Sequence, residues 1–298
     1  MGSAFGFKNA LPLWGKATHP VQLGWLSGPL TIYNSGRVPG FSLEGADFSF
    51  RFVAEQNEKL RAFGDLKQNM VNLRTSVFTP ITLPTWGHIS QMSNHIRYSK
   101  AHWGFFKADR KDAYKQLLID QEYVNLTLVA LRNPVSGPWY AFVHRILLFV
   151  AFSAVIHYNC FARIFPGLSN RIFGLSVFNN CDDFGSLVPD LIKKAGLQVF
   201  LGFASLSGAL MKDDESQAGK ALTFLGIWGE FPCPDNDMIL RISLHGPKKE
   251  KWANTTLDFA SKGAISHKDL EKLIGALSFT QTSVFGRFGR TLLMPIRD

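Results

Sequence analysis

Apolar and polar positions along this chain change period several times, and each change marks an element. Residues 103–119, WGFFKADRKDAYKQLLI, begin as an aromatic strand and lose that character at Asp109, where Asp109, Arg110, Lys111 and Asp112 in succession cannot continue a buried strand. Residues 123–131 alternate in a β-rich pattern, NPVSGP (133–138) carries turn chemistry and WYAFVHRI (139–146) resumes as a strand, which predicts a hairpin. Apolar residues at helical spacing over 151–172 predict a long buried helix, bent near Pro166 and Gly167. A strand, two aspartates and a second strand follow over 175–188, then a helix over 189–203, a polar turn over 211–220 and a strand over 221–229.

The two ends are read from punctuation more than from period. Residues 1–45 are rich in Gly, Pro, Ser and Trp without sustained periodicity and read as an irregular, poorly ordered lead-in. Residues 54–76 are polar and charged, the prolines of TPITLPTW (79–86) restrict it to extended structure, and 88–99 suits a short amphipathic helix. Near the other end, a strand over 238–244 precedes a helix over 248–262 stopped by Gly263. Ser266 and Asp269 then form a capping box ahead of an apolar-periodic run.

Composition narrows the partners. A chain of 298 residues with 46% hydrophobic residues can bury one large core or two small ones. Its net charge of +9 favours a polyanionic partner, because lysines and arginines that neutralise phosphates release condensed counterions. Cys160, Cys181 and Cys233 are far apart and form no CxxC, so neither a disulfide framework nor a zinc site is expected and a reducing, intracellular compartment fits. The opening residues lack a secretory pattern, and Gly6 stands where a myristoylation signal needs Ser or Thr. The longest apolar run, 146–156, is too short to span a bilayer. Anchoring by that run is the reading from a third functional class, and its length argues against it.

FNNCDDFGS (178–186) sets Asp182 and Asp183 side by side between hydrophobic stretches. An Asp-Asp pair alone is usually a turn. Beside a third carboxylate, Asp109, at the end of a separate apolar strand, it becomes a candidate site for hard divalent cations, which neutralise crowded carboxylates and take oxygen ligands. His157 reads as a core histidine and Cys181 as a small buried filler.

These residues carry a resemblance. KADRKDAYKQL (107–117) resembles motif A of reverse transcriptases, NCDDF (180–184) their Y-x-D-D motif C, and LTFLGIWG (222–229) the F-L-G of motif E. KLRAFGDLKQNMVN (59–72) looks like their fingers motif, and the residues from 265 onward are similar to the segment after the palm in retrotransposon-type enzymes. The resemblance covers roughly residues 55–298. It implies an α+β right-hand polymerase: fingers over 46–102, a palm with an antiparallel sheet on helices over 103–236, and the start of a thumb or connection over 237–298.

By the same resemblance Asp109, Asp182 and Asp183 are the catalytic, metal-binding carboxylates for two Mg²⁺ or Mn²⁺ ions, Asp183 the less direct ligand, with the Arg110 carbonyl also facing a metal. Ala113 and Tyr114 lie under the incoming dNTP, Tyr114 as the gate against a ribose 2′-hydroxyl; Lys59 and Arg61 hold the triphosphate, and Asp65 and Asp112 support their loops. The implied activity is RNA-directed DNA synthesis on an RNA/DNA template-primer, without a membrane. Three positions depart from the pattern: Val150 where motif B has Gly, Asn180 for the motif C Tyr, and Glu215 where motif D carries a Lys, with Lys212 and Lys220 as possible substitutes. The alternative reading is a decayed, inactive copy that keeps the fold and a basic nucleic-acid-binding surface.

Overall fold

A computed structural model describes residue 14 and residues 20–31, 48–56, 59–64, 72, 81, 83–96, 101–148, 151–231, 240–262 and 265–280; at 31, 50–56, 59–64 and 125 the description is of the backbone alone. The strands in chain order are β1 (Leu26–Thr31), β2 (Phe48–Gln56), β3 (Lys59–Gly64), β4 (Trp103–Arg110), β5 (Leu128–Arg132), β6 (Trp139–His144), β7 (Val177–Asn180), β8 (Asp183–Pro189), β9 (Met211–Gly219), β10 (Ala221–Phe224), β11 (Ile227–Glu230) and β12 (Arg241–Leu244). The helices are α1 (Trp86–Ile96), α2 (Phe152–Ala162), α3 (Ile164–Phe173), α4 (Lys193–Leu206), α5 (Gly246–Lys262) and α6 (His267–Thr280). The fold is mixed α+β, and the chain divides into two compact units, Met1–Ile81 with Asp112–Phe161 and Thr82–Lys111 with Ala162–Asp298.

The first unit is a five-stranded sheet of order β1-β6-β5-β2-β3, in which only β2 and β5 run parallel. The expected β5–β6 hairpin forms because the Asn133 side chain accepts from the Val135 and Ser136 amides at 2.8 and 3.0 Å, closing an Asx turn. Alternation sends Val129, Leu131 and Phe142 to one apolar cluster with Leu26, and Leu128 and Val143 to another with Val124. Leu26–Thr31, within the stretch read as an irregular lead-in, is thus a sheet strand. The strand expected from 123 starts only at Leu128: Asp120 accepts the Glu122 amide and opens a 3-10 turn over Gln121–Leu126.

The second unit carries a four-stranded antiparallel sheet, β7-β8-β4-β9, and a three-stranded one, β10-β11-β12. Partners opposite one another share a face. Phe105 and Leu187 face Trp86, Ile89, Leu222, Phe224 and Ile227, while Phe106 and Phe184 face α4 and α3 through Phe200 and Phe165. The first core is pinned by the Trp86 indole, which donates to the Phe224 carbonyl at 2.9 Å and leaves no room for a Cβ at Gly229.

Several elements of this unit differ from expectation. The chain leaves the long helix at Arg163, not at Pro166. Placed in the first turn of α3, Pro166 lacks an N–H that would have no acceptor there in any case, whereas a continuous helix would drive its ring into the residue 162 carbonyl. Gly174, at φ 64°, stops α3 with the Leu175 amide returning to the Ser169 carbonyl at 3.2 Å, so β7 can begin at Val177. Residues 221–229 are a hairpin, turning at Leu225 and Gly226 with φ of 52° and 72°.

The polar stretch read as a turn is edge strand β9; its pairing is made by backbone, and its exposed charges are what a protected sheet edge carries. His157 is exposed on α2, since the buried stripe of that helix falls on Ala154, Tyr158, Asn159 and Ala162. At the other end Ser266 caps the helix as expected, the Asp269 amide donating to Ser266 Oγ at 3.2 Å, but the box is not reciprocal: Asp269 Oδ2 accepts the Ser266 hydroxyl at 2.7 Å.

Candidate active site

One rung crosses all four strands of the second unit's larger sheet. Asn180 on β7 is the partner of Asp183 on β8, Asp183 of Asp109 on β4, and Asp109 of Lys212 on β9. The next rung inward is Phe178, Gly185, Lys107 and Gln217, and the one beyond it brings Leu187 opposite Phe105 in the aromatic core. The face therefore runs from apolar to acidic over three rungs. Asp182 lies just past it, in the two-residue turn with Cys181, and its carbonyl accepts the Arg110 amide at 3.1 Å. Cys181 is half-buried and takes φ 54°, so its position is set by the turn; it is not the buried filler expected.

Charge is concentrated on this rung. Lys212 Nζ lies 2.5 Å from Asp109 Oδ2 and 3.3 Å from Glu215 Oε2. A register shift in β9 between the Lys107 and Asp109 partners bulges the segment bearing Glu215, and Ser216 Oγ ties the bulge by donating to the Lys212 carbonyl at 2.7 Å. Burial pushes the Asp109 carboxyl up to about 7, with Glu215 adding and Lys212 opposing. Burial and then the Asp182 charge push Asp183 up to about 6. Four carboxylates, Asp109, Asp182, Asp183 and Glu215, stand against two ammoniums, Lys107 and Lys212.

The donors suit a hard cation. All are carboxylate oxygens, and Asp109 Oδ1 is buried with no hydrogen-bond partner among the described residues. Among those residues no three His, Cys, Asp or Glu side chains are gathered closely enough to ligate an ion as they stand.

The other site residues expected from the sequence are placed as follows. Arg110 points to the opposite sheet face, buried, its guanidinium 5.4 Å from the Phe165 ring centre. Ala113 and Tyr114 belong to the first unit, in the 3-10 turn Ala113–Gln116; both are buried, and the Tyr114 ring stacks on Tyr158 at 4.5 Å. Asp112 precedes them at φ 48° and binds Lys115 at 2.5 Å. Lys59 and Arg61 lie on β3 as partners of Gln56 and Ala54, with side chains outside the described residues, as Asp65, Val150 and Cys233 are entirely.

Two of the departures acquire partners here. The Asn180 amide donates to the Pro84 carbonyl at 2.8 Å, tying the end of β7 to the segment before α1. Of the two substitute lysines, Lys212 is at the rung, whereas Lys220 lies 3.8 Å from Asp190. Sequence reading paired Asp109 chiefly with Asp182; the register puts Asp183 directly opposite. No signal along the chain identified Lys212 as Asp109's partner, since a polar stretch does not reveal its strand register.

No protein-family model and no curated protein sequence matches the chain. Solved structures do. The foamy viral protease-reverse transcriptase dRH in complex with double-stranded DNA superposes with a TM-score of 0.64 at 13% identity, over 93% of this chain and 41% of that one. The foamy viral protease-reverse transcriptase in complex with an RNA/DNA hybrid gives 0.65 at 13%, over 94% of this chain and 32% of that one. The chain thus spans less than half the length of these neighbours and has a reverse-transcriptase-like fold. No helix among the described residues is long and apolar enough to cross a membrane, and Ile146, in the run weighed as an anchor, is buried in a bridge with Leu118.

Proposed function

We propose that this chain is the polymerase part of a retroelement RNA-directed DNA polymerase, with 46–102 as fingers, 103–236 as palm and 237–298 as the start of a thumb or connection. The rung that pairs Asp109 with Asp183, with Asp182 in the adjoining turn, carries the reading: it sets three carboxylates on one end of a sheet whose other face is packed on helices. The reverse-transcriptase-like fold and the net charge of +9 support it.

In this reading Asp109 and Asp182 hold two divalent cations, Mg²⁺ or Mn²⁺, with Asp183 beside them and the Arg110 carbonyl contributing. When bound, such ions stabilise the attacking primer 3′-hydroxyl and the leaving pyrophosphate of the dNTP. The protein's own part is positioning: the central strand pair holds Asp109 and Asp183 on one rung, anchored two rungs further along the same face by Phe105 and Leu187 in the aromatic core. Lys59 and Arg61 hold the triphosphate, and Ala113 and Tyr114 floor the nucleotide pocket. Lys212, the ammonium hydrogen-bonded to Asp109, is in this reading the proton donor to the leaving group, the role that Glu215, at the position aligned with the family's lysine, cannot fill.

Primer extension on poly(rA)/oligo(dT) with Mg²⁺ or Mn²⁺ tests this against an Asp182→Ala/Asp183→Ala control. Incorporation of dTTP well above the control is expected. Equal incorporation defeats the enzyme reading and leaves an inactive nucleic-acid-binding remnant of the same fold.

A further inference from the structure

Tyr114 belongs to a 3-10 turn of four residues, too short to fix the direction of a side chain by itself. The ring it meets is Tyr158. The two rings stack with centroids 4.5 Å apart and planes 28° apart, and Tyr158 is fully buried. Tyr158 lies on α2 in the stripe that also buries Ala154 and Ala162, one turn away on either side, so its ring is the largest group that stripe presents. The start of α2 is fixed in turn: Asn72 Oδ1 accepts the Phe152 amide at 2.9 Å, one of the first donors of a helix, which have no acceptor within it. Asn72 closes the stretch that resembles the fingers motif, and Asn72, Tyr114 and Tyr158 all belong to the first unit. A continuous set of contacts therefore runs from that motif through α2 to the Tyr114 ring.

We propose that Tyr158 is a positioning residue for sugar selection: its ring sets the plane of the Tyr114 ring, and through it the clearance left for a ribose 2′-hydroxyl. This rests on the gate reading of Tyr114 given above. Only 6% of Tyr114 is exposed, so a sugar would meet the edge of its ring, and that edge moves with any tilt of the stacked pair. One oxygen atom separates the two sugars, and a packed apolar wall rejects an added hydroxyl by roughly a hundredfold at most. A discrimination that small is sensitive to the placement of the wall. An aliphatic side chain at 158 has no flat face on which to hold the ring.

The test is primer extension by the full chain on poly(rA)/oligo(dT), with dTTP and UTP as separate substrates and the ratio of their kcat/KM values as the reading. Tyr158→Leu is expected to lower the preference for dTTP about tenfold. Tyr158→Phe, which keeps a stacking ring, is expected to hold the ratio within about threefold of wild type. In a Tyr114→Val background Tyr158→Leu is expected to change the ratio no further, because it acts through the gate ring. An unchanged ratio in Tyr158→Leu, an equal loss of kcat/KM for both nucleotides, or a full further change in the Tyr114→Val background would overturn the proposal. Failure of the underlying reading looks different: a wild type that incorporates neither nucleotide, or a Tyr114→Val ratio equal to that of wild type, removes the gate and this proposal with it. Should Tyr158→Leu not fold, a structure of the wild type with template-primer and dTTP decides. The stack should persist beside the bound sugar, and ring centroids more than about 7 Å apart would overturn the proposal.

Discussion

Asp109 and Asp183 stand directly opposite one another on the two central strands of an antiparallel sheet, sharing one face and one rung. Like charges at cross-strand partners destabilise a sheet. Here the repulsion comes with burial, and both carboxyls are held well above the ordinary carboxylate range.

That burial predicts a pH dependence. Both groups bind protons more tightly folded than unfolded, so the folded state holds the extra protons between about pH 4 and 7 and stability falls as pH rises through that window. Glu215, held lower by Asp109 and Lys212, works in the opposite sense but is half exposed and screened. A tenfold difference in proton affinity between the folded and unfolded states corresponds to about 1.4 kcal/mol, so urea titrations of the metal-free protein should lose a few kcal/mol between pH 4 and 8. Asp183→Asn should flatten the slope, and an unchanged slope would contradict the assignment.

Saturating Mn²⁺ or Mg²⁺ at pH 8 should raise the melting temperature of the wild type, because an ion that binds only the folded state contributes about 2.7 kcal/mol at a hundred times its Kd. Asp109→Asn and Asp183→Asn should lose most of this gain in a thermal scan, with Asp213→Asn, an exposed β9 carboxylate, keeping it.

Asn180→Tyr introduces the tyrosine that the resembling Y-x-D-D motif carries before the aspartate pair, but removes the bond to the Pro84 carbonyl. A loss of about 1 kcal/mol or more is expected, measured by urea denaturation. A gain in stability would mean that the Asn180–Pro84 tie is dispensable.

At Gly185 an added Cβ would lie 2.6 Å from Phe178 Cε2, its same-face neighbour on β7. Gly185→Ala should cost about 1 to 3 kcal/mol by overpacking. Combining it with Phe178→Leu should recover part of that, a coupling that a double-mutant cycle reads directly.

Tyr114→Ala should cost about 3 to 5 kcal/mol, since it removes the buried ring that stacks on Tyr158. In primer extension, Tyr114→Val should increase ribonucleotide incorporation relative to Tyr114→Phe. Equal discrimination by the two would remove the gate role and leave Tyr114 as core packing.

The sequence by itself determined the elements whose signals are local. Aromatic and apolar runs marked β4 and the strands around Asp182, the Asn133 turn marked the β5–β6 hairpin, and Ser266 with Asp269 marked the start of α6, because each depends on residues within a few positions of one another. It also determined that three carboxylates end apolar strands. Tertiary structure decided everything that depends on register. The placement of Asp183 opposite Asp109, the arrival of Lys212 from a segment that reads as a polar turn, and the tie from Asn180 to Pro84 join residues far apart in the chain through backbone pairing or a single side-chain bond. No local pattern encodes such pairings, and a one-residue slip in any strand would turn these side chains to the opposite face.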